Sequence, residues 1–80
     1  MSRVLTIHEI KVPGRERESY VRDLRGRKAQ LRSQGCNFWV FERAGERGIF
    51  VEFVEAPDEA ALAAAGVDRS APIMTEVDLA

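Results

Sequence analysis

The chain is poor in the residues that usually brace a small protein. It has a single cysteine, Cys36, so no disulfide can form within its 80 residues. It also has a single histidine, His8, and no Cys/His cluster offers a structural metal site. No run of apolar residues approaches the roughly 20 needed for a membrane-spanning helix. The stretch Met1–Ile10 has no long apolar core of the signal-peptide kind. A cytoplasmic protein with no membrane partner is the expectation. The three prolines are scattered, and there is no linker, repeat or low-complexity segment, so residues 1–80 read as one domain. A domain this short buries only about 60–65% of its unfolded surface, and self-association is an economical way to gain more burial.

Aromatic residues are few but concentrated. Five of the six rings (Phe38, Trp39, Phe41, Phe50, Phe53) fall within Cys36–Val54. This stretch reads as two strands, Asn37–Arg43 and Ile49–Glu55, joined by the polar turn Ala44-Gly45-Glu46-Arg47-Gly48. A surface hairpin alternates apolar and polar residues, but here both faces are apolar. Phe38 and Val40 point one way, and Asn37, Trp39 and Phe41 the other. Ile49, Val51 and Phe53 oppose Phe50 and Val54 in the same manner.

The remaining pattern completes a fold. Val4–Val12 is a β-branched strand ended by Pro13-Gly14. Arg15 to about Gln34 is a helix with Tyr20, Val21, Leu24 and Leu31 on one side, and Gly35 suits its left-handed cap. Pro57 fits the first position of a second helix, Asp58–Ala65, closed by Gly66. Val67–Pro72 is a loop, and Ile73–Leu79 alternates as a last strand. The order β-α-β-β-α-β specifies an α+β ferredoxin-like sandwich: a four-stranded antiparallel sheet with two helices on one face. The second apolar face then needs a cover, either another copy of the chain or a ligand. Parity alone leaves open which face meets the helices.

Charge is divided along the chain. Residues 15–34 carry seven bases against three acids, whereas residues 42–80 carry nine acids against three bases, within a net charge of −1. Such a split can steer an anionic ligand, and it is equally the solvated side of a helix or two faces that attract across a dimer.

The strand ending Lys11-Val12-Pro13-Gly14, the charged helix, and Gly35-Cys36 leading into Phe38-Trp39-Val40-Phe41-Glu42 together resemble the dimeric α/β-barrel proteins. Small members of the antibiotic-biosynthesis monooxygenase-like group are the nearest likeness. It spans roughly Val4–Leu62 and rests on turn residues and aromatic strands, with no catalytic signature. The resemblance implies a homodimer packed sheet against sheet. It also implies a cofactor-free reaction on a hydrophobic aromatic compound. Members of this kind pair an asparagine and a tryptophan in a pocket between helix and sheet, here Asn37 and Trp39. The present chain departs from the group in its short second helix and trimmed final segment. Haem-degrading relatives hold iron through a histidine on the second helix, and this helix has none.

The residues themselves support several candidates. Asn37 and Trp39 share one strand face about 7 Å apart. An amide can polarise an oxyanion, and an indole can stack a planar ring. Their bland reading is a core tryptophan beside an asparagine that bonds backbone near Gly35. Phe41 continues the same face as apolar lining, and Tyr20 on the first helix can reach the layer. His8 can act as a general base near neutral pH, or it can be a satisfied structural residue. Glu52, alone among apolar neighbours, must be paired if it faces a partner subunit, with His8, Arg3 or Arg43. Cys36 reads as an inert thiol.

Two other classes compete with an enzyme. The same topology serves RNA-recognition modules, and Arg47–Phe53 resembles their strand-three motif. That motif is one residue short, and Val4–Ile10 supplies no aromatic to stack a base. The bases lie on the helix, away from the sheet, so a nucleic-acid partner is not expected. The third class is a binding, regulatory or structural dimer without chemistry.

Overall fold

The computed structural model describes residues 3–67 and 70–79. The elements run β1 (Val4–Lys11), a 3-10 turn (Gly14–Glu16), α1 (Arg17–Ser33), β2 (Asn37–Glu42), β3 (Ile49–Ala56), α2 (Glu59–Ala64) and β4 (Ile73–Thr75). All strand pairs are antiparallel, and the sheet order is β2-β3-β1-β4. This is the ferredoxin-like arrangement, with β2 and β4 at the two edges.

Local chemistry explains each boundary. Gly35, at φ +79°, ends α1 in a Schellman motif: its N–H donates to the Arg32 carbonyl, and the Cys36 N–H donates to the Leu31 carbonyl. Asp58 caps α2, its carboxylate accepting the Ala61 N–H at 2.8 Å. Pro57 therefore precedes the cap and does not occupy the first helical turn as the sequence suggested. The final strand is shorter than its alternation implies. Pairing with β1 runs only from Ile73 to Thr75, and just beyond it the Glu76 N–H bonds to the Arg3 carbonyl. Of the anticipated loop Val67–Pro72, positions 68 and 69 lie outside the described residues.

Both helices cover one face of the sheet. Leu31 and Cys36 from α1 and its exit, and Leu62 from α2, pack with Val4, Phe38, Val54 and Ala56 as one core. The helix-facing parity is thus Val4/Thr6/His8/Ile10, Phe38/Val40 and Phe50/Glu52/Val54. The opposite face carries Leu5, Ile7, Trp39, Phe41, Val51, Phe53 and Met74, with Phe41 and Phe53 in an edge-to-face pair at 5.5 Å. Trp39 is 45% exposed and Phe41 61%, so Trp39 is not a core residue.

A polar tie fixes α1 against the hairpin. Glu42 Oε2 accepts from Arg17 Nη1 at 2.5 Å and from the Gly48 N–H at 2.9 Å. Gly48 is in the left-handed region at φ +87°, and a Cβ there would lie 2.7 Å from the Val12 carbonyl oxygen. The close approach matters because Val12 N–H donates to the Gly48 carbonyl at 2.7 Å. No helix among the described residues is long and apolar enough to cross a membrane.

Candidate functional site

Helix α1 presents Tyr20, Asp23, Leu24 and Arg27 toward the sheet, the i, i+3, i+4, i+7 spacing of one helical face. Because α2 is only six residues long, the middle of β1 is left partly uncovered beside α1. The result is a cavity of 370 Å³. Thr6, His8 and Glu52 supply its polar floor; Ile10, Leu24, Val54, Val67 and Ala71 supply apolar walls. Among the described residues no group of three or more His, Cys, Asp or Glu side chains is placed to hold a metal.

The centre of this site is Glu52. Only 5% of the residue is exposed, so its carboxylate requires partners. Both come from α1: Tyr20 Oη donates to Oε2 at 2.6 Å, and Arg27 Nη1 donates to Oε1 at 3.0 Å. Burial, reinforced by the bond to Glu52, pushes the Tyr20 hydroxyl above its usual pKa, so it remains a protonated donor. The aromatic floor holds these donors in place. The Tyr20 ring lies 4.8 Å from Phe50, and the Arg27 guanidinium sits 4.9 Å over Phe38. His8 lies directly across the β1–β3 ladder from Glu52 yet stays exposed to the cavity.

The expected residues therefore divide into two groups. His8, Tyr20 and Glu52 come together under the helices. Asn37, Trp39, Phe41 and Arg43 do not join them. Asn37 and Trp39 share a face, as alternation requires, but it is the face away from the helices. Asn37 donates to Glu55 Oε1 at 2.9 Å, an oxygen that also takes Arg3, so it serves neither a pocket between helix and sheet nor the backbone near Gly35. Arg43 pairs with Glu9 at 2.6 Å and Glu46 at 3.3 Å. Glu52 faces the helices and pairs with Arg27 and Tyr20, in place of the His8, Arg3 or Arg43 pairing considered for a partner-facing position. Sequence reasoning missed Arg27 and Asp23. Their signal was available in the spacing from Tyr20, which places both on the stripe that Leu24 marks as sheet-facing.

No family model and no curated protein matches the chain. Solved structures do share its fold. One is PA3566 from Pseudomonas aeruginosa, at 19% identity and a TM-score of 0.74 over 100% of this chain and 97% of that one. Another is a conserved Bacteroides thetaiotaomicron protein of unknown function, described as a possible oxidoreductase: 19% identity, TM-score 0.71, 94% of each chain. A third is a heme-degrading protein of Mycobacterium tuberculosis, in heme-free form: 15% identity, TM-score 0.70, covering 98% of this chain and 95% of that one. Identity at this level carries the fold: a small α+β domain with a four-stranded antiparallel sheet and two helices.

Proposed function

We propose that the chain is a small-molecule-binding protein of the monooxygenase-like kind, taking a hydrophobic aromatic compound into the cavity between α1 and the sheet. The observation that carries this reading is the convergence of His8, Tyr20, Glu52 and Arg27 on one cavity with an apolar wall. Its 370 Å³ lies within the about 300–1,000 Å³ usual for small-ligand pockets. A phenolic hydroxyl placed beside His8 can give its proton to the imidazole, leaving a phenolate and an imidazolium. Tyr20 spends its proton on Glu52, so its oxygen presents lone pairs to a ligand donor. No cofactor is required for that proton transfer. The functions of two structural neighbours, a possible oxidoreductase and a heme-degrading protein, accord with small-molecule chemistry on this fold. α2, with the sequence EAALAA, offers no histidine for an iron.

The homodimer belongs to the same reading. Its support is the contiguous apolar outer face, which includes Ile7, Trp39, Phe41 and Met74, all exposed on the single chain. Two such faces packed together bury those rings from water. A binding dimer without catalysis is the second reading, favoured by the completeness of the Tyr20–Glu52–Arg27 set, which satisfies itself without a substrate.

The experiment is calorimetric titration with neutral naphthols and polycyclic phenols, paired with an oxygen electrode. Saturable binding that His8→Ala or Leu24→Trp weakens at least tenfold supports the site. Oxygen uptake dependent on His8 selects the enzyme, and binding without uptake selects the non-catalytic dimer. No binding across the panel, or binding indifferent to both substitutions, overturns the assignment.

A further inference from the structure

One charge in the cavity is left without a counterpart. Glu52 is matched by Arg27 and takes a second bond from Tyr20. Asp23, on the same face of α1, also lines the cavity, but it takes part in no ion pair among the described residues. Its neighbours on the helix explain why. Side chains three and four residues apart are the ones that meet on a helix surface. Ser19 donates to the Glu16 carbonyl at 3.0 Å, and Tyr20 is bound to Glu52. Gly26 has no side chain to offer. Arg27, four residues on, stands where a base ordinarily pairs with an acid, yet it reaches down to Glu52 and lies over Phe38 instead. Two carboxylates and one guanidinium line the cavity, and the guanidinium is spent on Glu52.

We infer, resting on the small-molecule reading above, that Asp23 selects the ligand by charge: the cavity prefers an aromatic compound carrying a protonated amine to its neutral or carboxylate counterpart. The ring packs on Leu24, Val54 and Val67, and the ammonium turns to Asp23. A hydroxyl, where the ligand has one, is left for His8. An ammonium is a donor only, so it complements a carboxylate that has no other donor. No cation competes with it, because Arg27 is held by Glu52 and by the Phe38 ring. A carboxylate in the same pose meets Asp23 as a like charge and is repelled. Asp23 is exposed to solvent, so the preference has the size of a solvated ion pair, about fivefold in affinity.

Calorimetry on the full-length chain tests it with three ligands of similar shape: naphthylmethylamine, naphthol and naphthoate. The amine should bind about fivefold tighter than naphthol, and naphthoate about fivefold weaker. Asp23→Asn brings the three affinities to within about twofold, and Asp23→Lys reverses their order. Glu59→Gln removes a carboxylate of α2 that does not line the cavity, and it leaves the order and spacing of the wild type. If naphthol binds and the amine is no tighter, or the amine's advantage survives Asp23→Asn, the role of Asp23 is overturned and the cavity reading stands. An advantage lost equally in Glu59→Gln belongs to overall charge and overturns that role as well. If none of the three ligands binds, the role of Asp23 and the cavity reading fall together.

Discussion

At the residue scale, Glu52 shows how a polar side chain in an apolar strand becomes a site. Its carboxylate is buried against Tyr20 and Arg27, spaced seven apart on α1, so one helical face satisfies one acid. Glu52→Gln keeps the shape and removes the charge. The expected cost is about 1.5–3 kcal/mol, the value of hydrogen bonds to charged groups, toward the low end because Arg27 keeps partial access to water; urea denaturation measures it. Tyr20 and Glu42 set opposite pH limits. The Tyr20 hydroxyl titrates higher folded than unfolded, so its contribution is complete below about pH 10 and is lost as pH rises beyond it. Tyr20→Phe flattens this alkaline limb. The Arg17 guanidinium and the Gly48 N–H hold the Glu42 carboxyl at about 2, down from 4.5. Its contribution is therefore present above pH 4.5 and lost between 4.5 and 2, and Glu42→Gln removes that part of the acid limb in a melting-temperature series.

At the element scale, the order of strands and helices was legible because each rests on a local rule: β-branched runs, an apolar helical stripe, and glycines after α1 and α2. Boundaries decided by one hydrogen bond were less so. Asp58 outcompetes Pro57 for the start of α2 because its carboxylate can take the Ala61 N–H, and Asp58→Ala costs about 1 kcal/mol. Gly48→Ala forces a Cβ toward the Val12 carbonyl at 2.7 Å from a positive φ, which costs about 1–3 kcal/mol and loosens the hairpin first. The assignment of sheet faces was not legible. Parity says which residues share a face, and with both faces apolar nothing local says which one the helices take. The answer came from Leu31, Cys36 and Leu62, whose packing on Val4, Phe38, Val54 and Ala56 carries Thr6, His8 and Glu52 inward and Asn37 and Trp39 outward. The candidate cavity was half legible for that reason: His8, Tyr20 and Glu52 line it, whereas the asparagine–tryptophan pair lies across the sheet.

At the scale of the whole molecule, the sheet separates two roles. Its helix side holds an incompletely roofed cavity with a self-satisfied polar cluster, and its other side exposes an apolar surface on the single chain. In the proposed homodimer Trp39, the single tryptophan, would report assembly and not ligand. If the proposed dimer forms, its emission shifts to the red as the protein is diluted through the dimer Kd and responds little to a naphthol at fixed concentration; an emission that does not change with dilution contradicts the dimer. Leu62 holds α2 against the core. Leu62→Ala costs about 2–5 kcal/mol, measured by denaturation.

The most direct measurement of the central claim uses the fact that His8 is the only histidine. Its imidazole protons give unambiguous magnetic resonance signals. Titration with a neutral naphthol should shift them saturably, with intermolecular Overhauser contacts from the ligand to His8 and Leu24 and none to Trp39. Unmoved His8 signals while the ligand binds, or contacts confined to Trp39 and Phe41, would contradict the account and place the ligand on the outer face of the sheet.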